Sequence, residues 1–186
     1  MVDEAIYNCE NICMSSIFQQ VPIIVLKSLN TSLNFLTKAE QYIQEKGISE
    51  ETILSARLAS DMFPFSKQIQ MISDNGKSLV SRVTGLQAPK YEDKETSILE
   101  LKERITKTID FINSIPTEKY DEGNNQKIVL PMIPGKYQNG LDYVNFYGLP
   151  NLYFHVVTAY SILRNQGLKL GKTEYLNGLV LHDLES

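Results

Sequence analysis

The sequence has few of the residues that build common metal and redox sites. Its 186 residues include only two histidines, His155 and His182, so a three-histidine metal centre cannot form within one chain. The two cysteines, Cys9 and Cys13, are too few for a disulfide framework, and we interpret them as reduced thiols. A redox pair is the alternative, although no second motif supports it. We therefore expect a cytoplasmic protein.

Strong charge and long apolar runs are also missing. Eighteen basic and 22 acidic residues give a net charge of -4 without a strongly basic stretch, which argues against a nucleic-acid partner. No apolar run approaches the ~20 residues that span a bilayer, and the acidic start Met1-Val2-Asp3-Glu4 does not resemble a signal peptide. We expect no membrane partner.

Motifs of the best-known enzyme classes are absent as well. The sequence contains no glycine-rich phosphate loop, nucleophile elbow, CxxC pair, HExxH or Glu-x-x-His. We predict no metal ligands, and the motifs leave the cofactor unknown and enzymatic activity uncertain.

Apolar residues recur every three or four positions in four segments, which is the period of an amphipathic helix. The length suits one domain. The predicted helices cover 15–46, 49–83, 96–112 and 148–166, and the short connection at 47–48 favours antiparallel neighbours. Residues 118–125 are predicted to be polar and flexible, 127–137 to form a small hairpin or paired loop, and 142–147 to form a helical turn leading into the last helix. The predicted fold is all-α, a four-helix bundle with a small irregular or β-hairpin insertion before the last helix.

Pro64 lies inside the second predicted helix, where it would remove a backbone hydrogen bond and kink the helix beside the carbonyl of Ser60. Arg57, Asp61 and Gln68 lie along one edge of the helix's apolar stripe, which runs through Leu58, Met62, Phe65, Ile69 and Ile72. Arg57 and Asp61 are spaced to pair as an i,i+4 couple. This couple is either an ordinary ion pair at the rim or part of a polar cluster at a pocket mouth.

The fourth predicted helix carries His155 at the edge of its apolar stripe. Histidine is the side chain best suited to proton transfer near neutral pH, but a lone histidine beside an apolar face is also a common packing residue. Tyr153 and Tyr160 offer aromatic walls to a pocket, with bundle packing as the alternative interpretation.

Several blocks of the sequence resemble a known family. They are 56–65, Tyr91-Glu92-Asp93, 148–160 and 167–171. They resemble an uncharacterised domain family grouped with the DinB/YfiT-like four-helix bundles of bacteria and fungi. The resemblance covers 15–178, which gives an N-terminal extension of 1–14, a DinB-like domain of 15–178 and a C-terminal tail of 179–186.

The resemblance also implies what a site would look like. The wider superfamily often holds a divalent metal on three histidines, one on the second helix and two on the fourth, and some members transfer or hydrolyse thiol conjugates. Here the second helix has Asp61, Gln68 and Gln70 but no histidine, and the fourth has only His155. The resemblance therefore marks Asp61 and His155 as remnants or replacements of such a site.

Three hypotheses follow. In the first, the protein is a small-molecule hydrolase or transferase with a pocket between the second and fourth helices. His155 is then the acid or base and Asp61 orients it, while substrate contacts come from Arg57, Gln68, Tyr153 and Tyr160. In the second, it is a non-catalytic ligand-binding or structural bundle. In the third, it is a homodimer that acts through exposed helix faces.

Overall fold

The computed structural model describes residues 17–184. Seven α-helices are present in this range: α1 Ile17–Lys46, α2 Glu50–Leu54, α3 Phe65–Thr84, α4 Ile98–Asn113, α5 Gly140–Tyr143, α6 Leu149–Asn165 and α7 Lys172–Leu176. A 3-10 helix covers Thr117–Asn125 and a π-helical turn covers Val144–Gly148, while β1 Lys127–Ile128 pairs antiparallel with β2 Gln138–Asn139. The predicted extension 1–14, the helix start at 15, both cysteines and the last two residues of the tail lie outside the described residues.

The four long helices α1, α3, α4 and α6 form the bundle. α1 and α3 each pack against the other three, so this pair is the centre of the domain. All four helices contribute fully buried apolar side chains, among them Leu29, Leu36, Ile69, Ile72, Leu79, Leu101, Ile105, Leu152 and Ile162. The predicted all-α four-helix bundle with a small hairpin insertion is confirmed. No helix within residues 17–184 combines the length and the hydropathy needed to cross a membrane.

The second predicted helix is in fact two helices. α2 begins after Ser49, whose hydroxyl accepts from the backbone N–H of Thr52, and it ends at Leu54. α3 begins at Phe65, with Pro64 extended at its N-cap (φ −68°, ψ 167°). The predicted kink at Pro64 is wrong, because proline disfavours helical geometry at the residue before it and here marks a helix start. The apolar stripe accordingly begins at Phe65 rather than Leu58, which is 42% exposed.

Residues 55–64, hereafter the α2–α3 loop, form a closed turn. The N–H of Phe65 donates to the carbonyl of Ala56 at 2.9 Å, which brings the two ends of the loop together. Arg57 donates from Nη1 to the carbonyl of Met62 at 2.7 Å. Hydrogen bonds within the loop therefore fix its backbone conformation up to the start of α3.

The insertion before α6 is ordered by close packing. The segment predicted to be flexible instead forms the 3-10 helix, which packs against α1 and α3. A Cβ at Gly123 would lie 2.3 Å from the ring of Phe18, so only glycine fits this contact. The predicted helical turn runs through α5 and the π-helical turn into α6, as expected. α7 was not predicted, and it packs against α1.

Candidate functional site

A buried polar pair joins α3 and α6 near the start of α3. His155 on α6 and Gln68 on α3 are 6% and 1% exposed, respectively. The Nδ1 atom of His155 lies 2.7 Å from Oε1 of Gln68. Because buried polar groups need partners, this hydrogen bond fixes the position of the imidazole ring within the bundle.

The α2–α3 loop determines which nitrogen of His155 carries the proton. Gln68 donates from Nε2 to the carbonyl of Phe63 at 3.1 Å, so its Oε1 faces the histidine as an acceptor. Nδ1 of His155 must then donate, which leaves Nε2 with an unprotonated lone pair. The Phe63 carbonyl is available for this bond because α3 begins two residues later, at Phe65.

The surroundings of His155 keep the ring neutral. Burial lowers the pKa of His155 below its ordinary value of 6.5, because a charged imidazolium loses hydration there. The ring of Phe154 meets it edge-on, with 5.2 Å between centroids. Nε2 makes no hydrogen bond to another side chain or backbone group among residues 17–184. The lone pair is thus not used within the described chain, so it can accept a proton or a hydrogen bond from a molecule that contacts it.

The structure places the predicted Asp61 and Arg57 in the α2–α3 loop, where both are exposed. Their predicted i,i+4 ion pair does not form within the described part of the chain, because residues 55–64 are not helical and Arg57 instead binds the carbonyl of Met62. His155 is oriented by Gln68, a residue that the sequence assigned to substrate contact.

The two predicted tyrosines occupy different surroundings. The hydroxyl of Tyr160 donates to the carbonyl of Leu170 at 3.3 Å, and its ring packs against Phe35 and Tyr175. Tyr160 therefore ties the chain after α6 to the bundle. Tyr153 is 40% exposed and lines a cleft between α1, α6 and α7, whose described lining includes neither His155 nor Gln68.

Sequence reasoning missed a second polar cluster, on the side of α3 that faces α4. Arg104 on α4 is 2% exposed and contacts three carboxylates. Its guanidinium lies 2.7 Å from Asp74, 3.0 Å from Asp93 and 2.8 Å from Glu95. We refer to these four residues as the charged cluster. Its signal in the sequence is an arginine within the apolar stripe of the third predicted helix, three residues after Leu101.

A three-histidine metal site does not fit these residues. The α3 side chain that faces His155 is Gln68, and both ends of its amide are already hydrogen-bonded, to Phe63 and to His155. Within residues 17–184, no three or more His, Cys, Asp or Glu side chains are grouped to hold a metal ion. The site thus offers one imidazole nitrogen rather than a metal-ligand set.

Comparisons with known proteins agree with the fold. The bundle and its insertion place the chain among the DinB-like helical proteins. A crystal structure of a DinB family member from Shewanella denitrificans superposes with a TM-score of 0.86 and 31% identity, covering 89% of this chain and 95% of that one. Residues 17–176 match the model of a domain of unknown function, DUF1993, and the chain belongs to that family. No curated protein matches the chain.

Proposed function

We propose that the protein is a small-molecule hydrolase or transferase in which Nε2 of His155 acts as a general base. The observation that supports this function is the chain of hydrogen bonds from the Phe63 carbonyl through Gln68 to Nδ1 of His155. A neutral imidazole with a fixed tautomer is the form that can take a proton from an attacking water, hydroxyl or thiol. Gln68 acts as its positioning residue.

The charged groups of the α2–α3 loop complete the proposed site. Asp61 and Arg57 belong to the loop that supplies the Phe63 carbonyl. A substrate bound to these two side chains would therefore lie beside the segment that positions Gln68 and His155. In this proposal Arg57 and Asp61 bind polar groups of the substrate at the rim. Tyr153 and Tyr160 are not part of this site, because Tyr153 lines the cleft between α1, α6 and α7 and Tyr160 donates to the Leu170 carbonyl.

The experiment begins with mass spectrometry of small molecules that co-purify with the protein, followed by incubation with each candidate and with model esters and thioesters. We expect His155→Gln to reduce turnover by about a hundredfold or more, the scale of lost general-base catalysis. His182→Gln is the matched control, because it removes the other histidine from the exposed tail, and it should retain full turnover. Turnover that survives His155→Gln unchanged would contradict the proposal.

A non-catalytic ligand-binding bundle is the second candidate, and a specific observation favours it. The cleft containing Tyr153 is largely apolar, and the described residues that line it include neither His155 nor Asp61. Under this alternative, a co-purifying molecule binds but is recovered unchanged, and His155→Gln lowers stability without altering binding. The predicted homodimer remains a prediction, which light scattering of the purified protein tests.

A further inference from the structure

The cleft between α1, α6 and α7 has the size and composition of a small-molecule site. Its volume is about 380 Å³, which lies within the range of about 300–1,000 Å³ typical of such sites. The described lining residues are Ile24, Lys27, Ser28, Thr31, Tyr153, Val156, Tyr175 and Leu176. Because His155 and Gln68 are not among them, a ligand here would be independent of the proposed catalytic site.

One unpaired cation gives this cleft its charge. Lys27 is the only charged side chain among the described lining residues, and it is half-buried. It forms no ion pair with any acidic residue between positions 17 and 184. An ammonium beside an apolar wall without a counter-ion favours an anionic ligand, because the ligand's charge would offset its partial loss of hydration.

Two phenol hydroxyls add neutral donors to the same cleft. The hydroxyls of Tyr153 and Tyr175 make no hydrogen bond within the described chain, and both residues line the cleft. Burial raises the pKa of Tyr153 and the nearby Tyr175 raises it further, so this hydroxyl keeps its proton and remains a donor. The hydroxyls of Ser28 and Thr31 already donate to backbone carbonyls.

The remaining walls are apolar. Ile24 comes from α1, Val156 from α6 and Leu176 from α7, so all three helices offer hydrocarbon to a ligand. A ligand that contacts all of these side chains therefore needs an anionic group to bind Lys27 and the two phenol hydroxyls. It also needs an apolar part to pack against the three aliphatic side chains.

We propose that this cleft binds an amphipathic monocarboxylate, with its carboxylate at Lys27, Tyr153 and Tyr175 and its hydrocarbon against Ile24, Val156 and Leu176. One ammonium and two neutral hydroxyls match a single negative charge. A phosphate monoester carries about −1.5 to −2 at neutral pH and would leave charge uncompensated in an apolar cleft.

Isothermal titration calorimetry on the full chain tests the proposal with three probes that share one hydrocarbon chain: octanoate, octan-1-ol and octyl phosphate. We expect one octanoate per chain, with octan-1-ol at least about tenfold weaker, because a charge-assisted hydrogen bond to Lys27 is lost. Octyl phosphate should bind more weakly than octanoate. Equal affinity for octanoate and octan-1-ol, tighter binding of octyl phosphate, or no octanoate binding would each overturn the proposal.

Variants locate the binding site. Lys27→Gln should weaken octanoate about tenfold and leave octan-1-ol unchanged, whereas Lys46→Gln, the same change at an exposed lysine of α1, should alter neither. Tyr175→Phe removes only a hydroxyl and should weaken octanoate about fivefold, since a neutral hydrogen bond contributes less. Octanoate affinity that is unchanged in Lys27→Gln and Tyr175→Phe would overturn the proposal. His155→Gln should leave octanoate binding intact, which separates this site from the proposed catalytic one.

Discussion

The two polar clusters built on α3 differ in how their hydrogen-bonding capacity is used. Towards α4, Arg104 is surrounded by Asp74, Asp93 and Glu95, and only its buried Nε lacks a partner within the described chain. Towards α6, the Gln68–His155 pair is neutral, and Nε2 of His155 makes no hydrogen bond within the described chain. The charged cluster is thus nearly saturated by contacts within the protein, whereas the neutral pair leaves one nitrogen without a partner within the described chain.

The charged cluster also shows how the connection between α3 and α4 is held. Asp93 and Glu95 lie in residues 85–97, and Arg104 links both of them to the bundle. Lys67 at the start of α3 binds the same Asp93 at 2.5 Å, so the connection is tied to both helices. This arrangement explains how a polar connection is held against α3 and α4.

The largest expected effect comes from removing the cation of the charged cluster. Arg104→Met leaves Asp74, Asp93 and Glu95 close together without their shared partner. We expect the free energy of unfolding to fall by about 3 kcal/mol, the lower end for a broken buried ion pair, because two of the acids are partly exposed. Urea denaturation measures the change.

Lys94→Met is the matched control, since Lys94 pairs with Glu92 on the surface and should cost less than about 0.5 kcal/mol. A loss in Arg104→Met no larger than in this control would show that the charged cluster does not stabilise the fold.

A smaller loss is expected on the other side of α3. Gln68→Leu replaces the amide with an apolar side chain of similar size and leaves the Nδ1–H of His155 without its acceptor. An unsatisfied buried donor costs about 1–3 kcal/mol, which urea denaturation detects. Gln44→Leu, at an exposed position of α1, should change stability by less than about 0.5 kcal/mol. If Gln68→Leu and Gln44→Leu both have the wild-type free energy of unfolding, the hydrogen bond between Gln68 and His155 does not orient the ring.

The smallest effect is a pH dependence that separates the two clusters. The pKa of His155 is lowered in the folded protein, so below its ordinary value of 6.5 the unfolded chain binds more protons. The free energy of unfolding should therefore be highest above 6.5, fall as pH decreases below it, and level off once the folded histidine also protonates.

Thermal melts between neutral and mildly acidic pH measure this slope, and His155→Gln should abolish it. Asp93 responds at lower pH, because the hydrogen bond from Lys67 lowers its pKa below 3.8, so its contribution is lost only in stronger acid. A slope near 6.5 that persists in His155→Gln would assign the effect to another group.

The sequence predicted most of the fold, but it did not predict that Gln68 is the hydrogen-bond partner of His155. Helical periodicity located α1, α4 and α6 because each is a long, continuous amphipathic segment. The break between Leu54 and Phe65 was missed, since the apolar spacing continues across it while the loop is held by hydrogen bonds of Arg57 and Phe65. Periodicity reports which residues face the core, and it does not report which backbone carbonyls remain unpaired.

The same limit applies to individual site residues. His155 was selected because histidine is rare here and suited to proton transfer. The sequence predicts Asp61 as its orienting partner, because the family resemblance marks Asp61 together with His155. The structure gives that position to Gln68, whose role depends on the Phe63 carbonyl and hence on where α3 starts. Because Gln68 is oriented by a backbone carbonyl, the spacing of residue types in the sequence does not predict its pairing with His155.

The protonation state of His155 tests the central claim most directly. Long-range ¹H–¹⁵N NMR of the full chain at neutral pH distinguishes the two ring nitrogens, with His155→Gln assigning the signals. We predict a neutral ring with the proton on Nδ1 and an unprotonated Nε2, because Gln68 can only accept at that point. A ring that carries its proton on Nε2, or that is charged at neutral pH, would contradict the account.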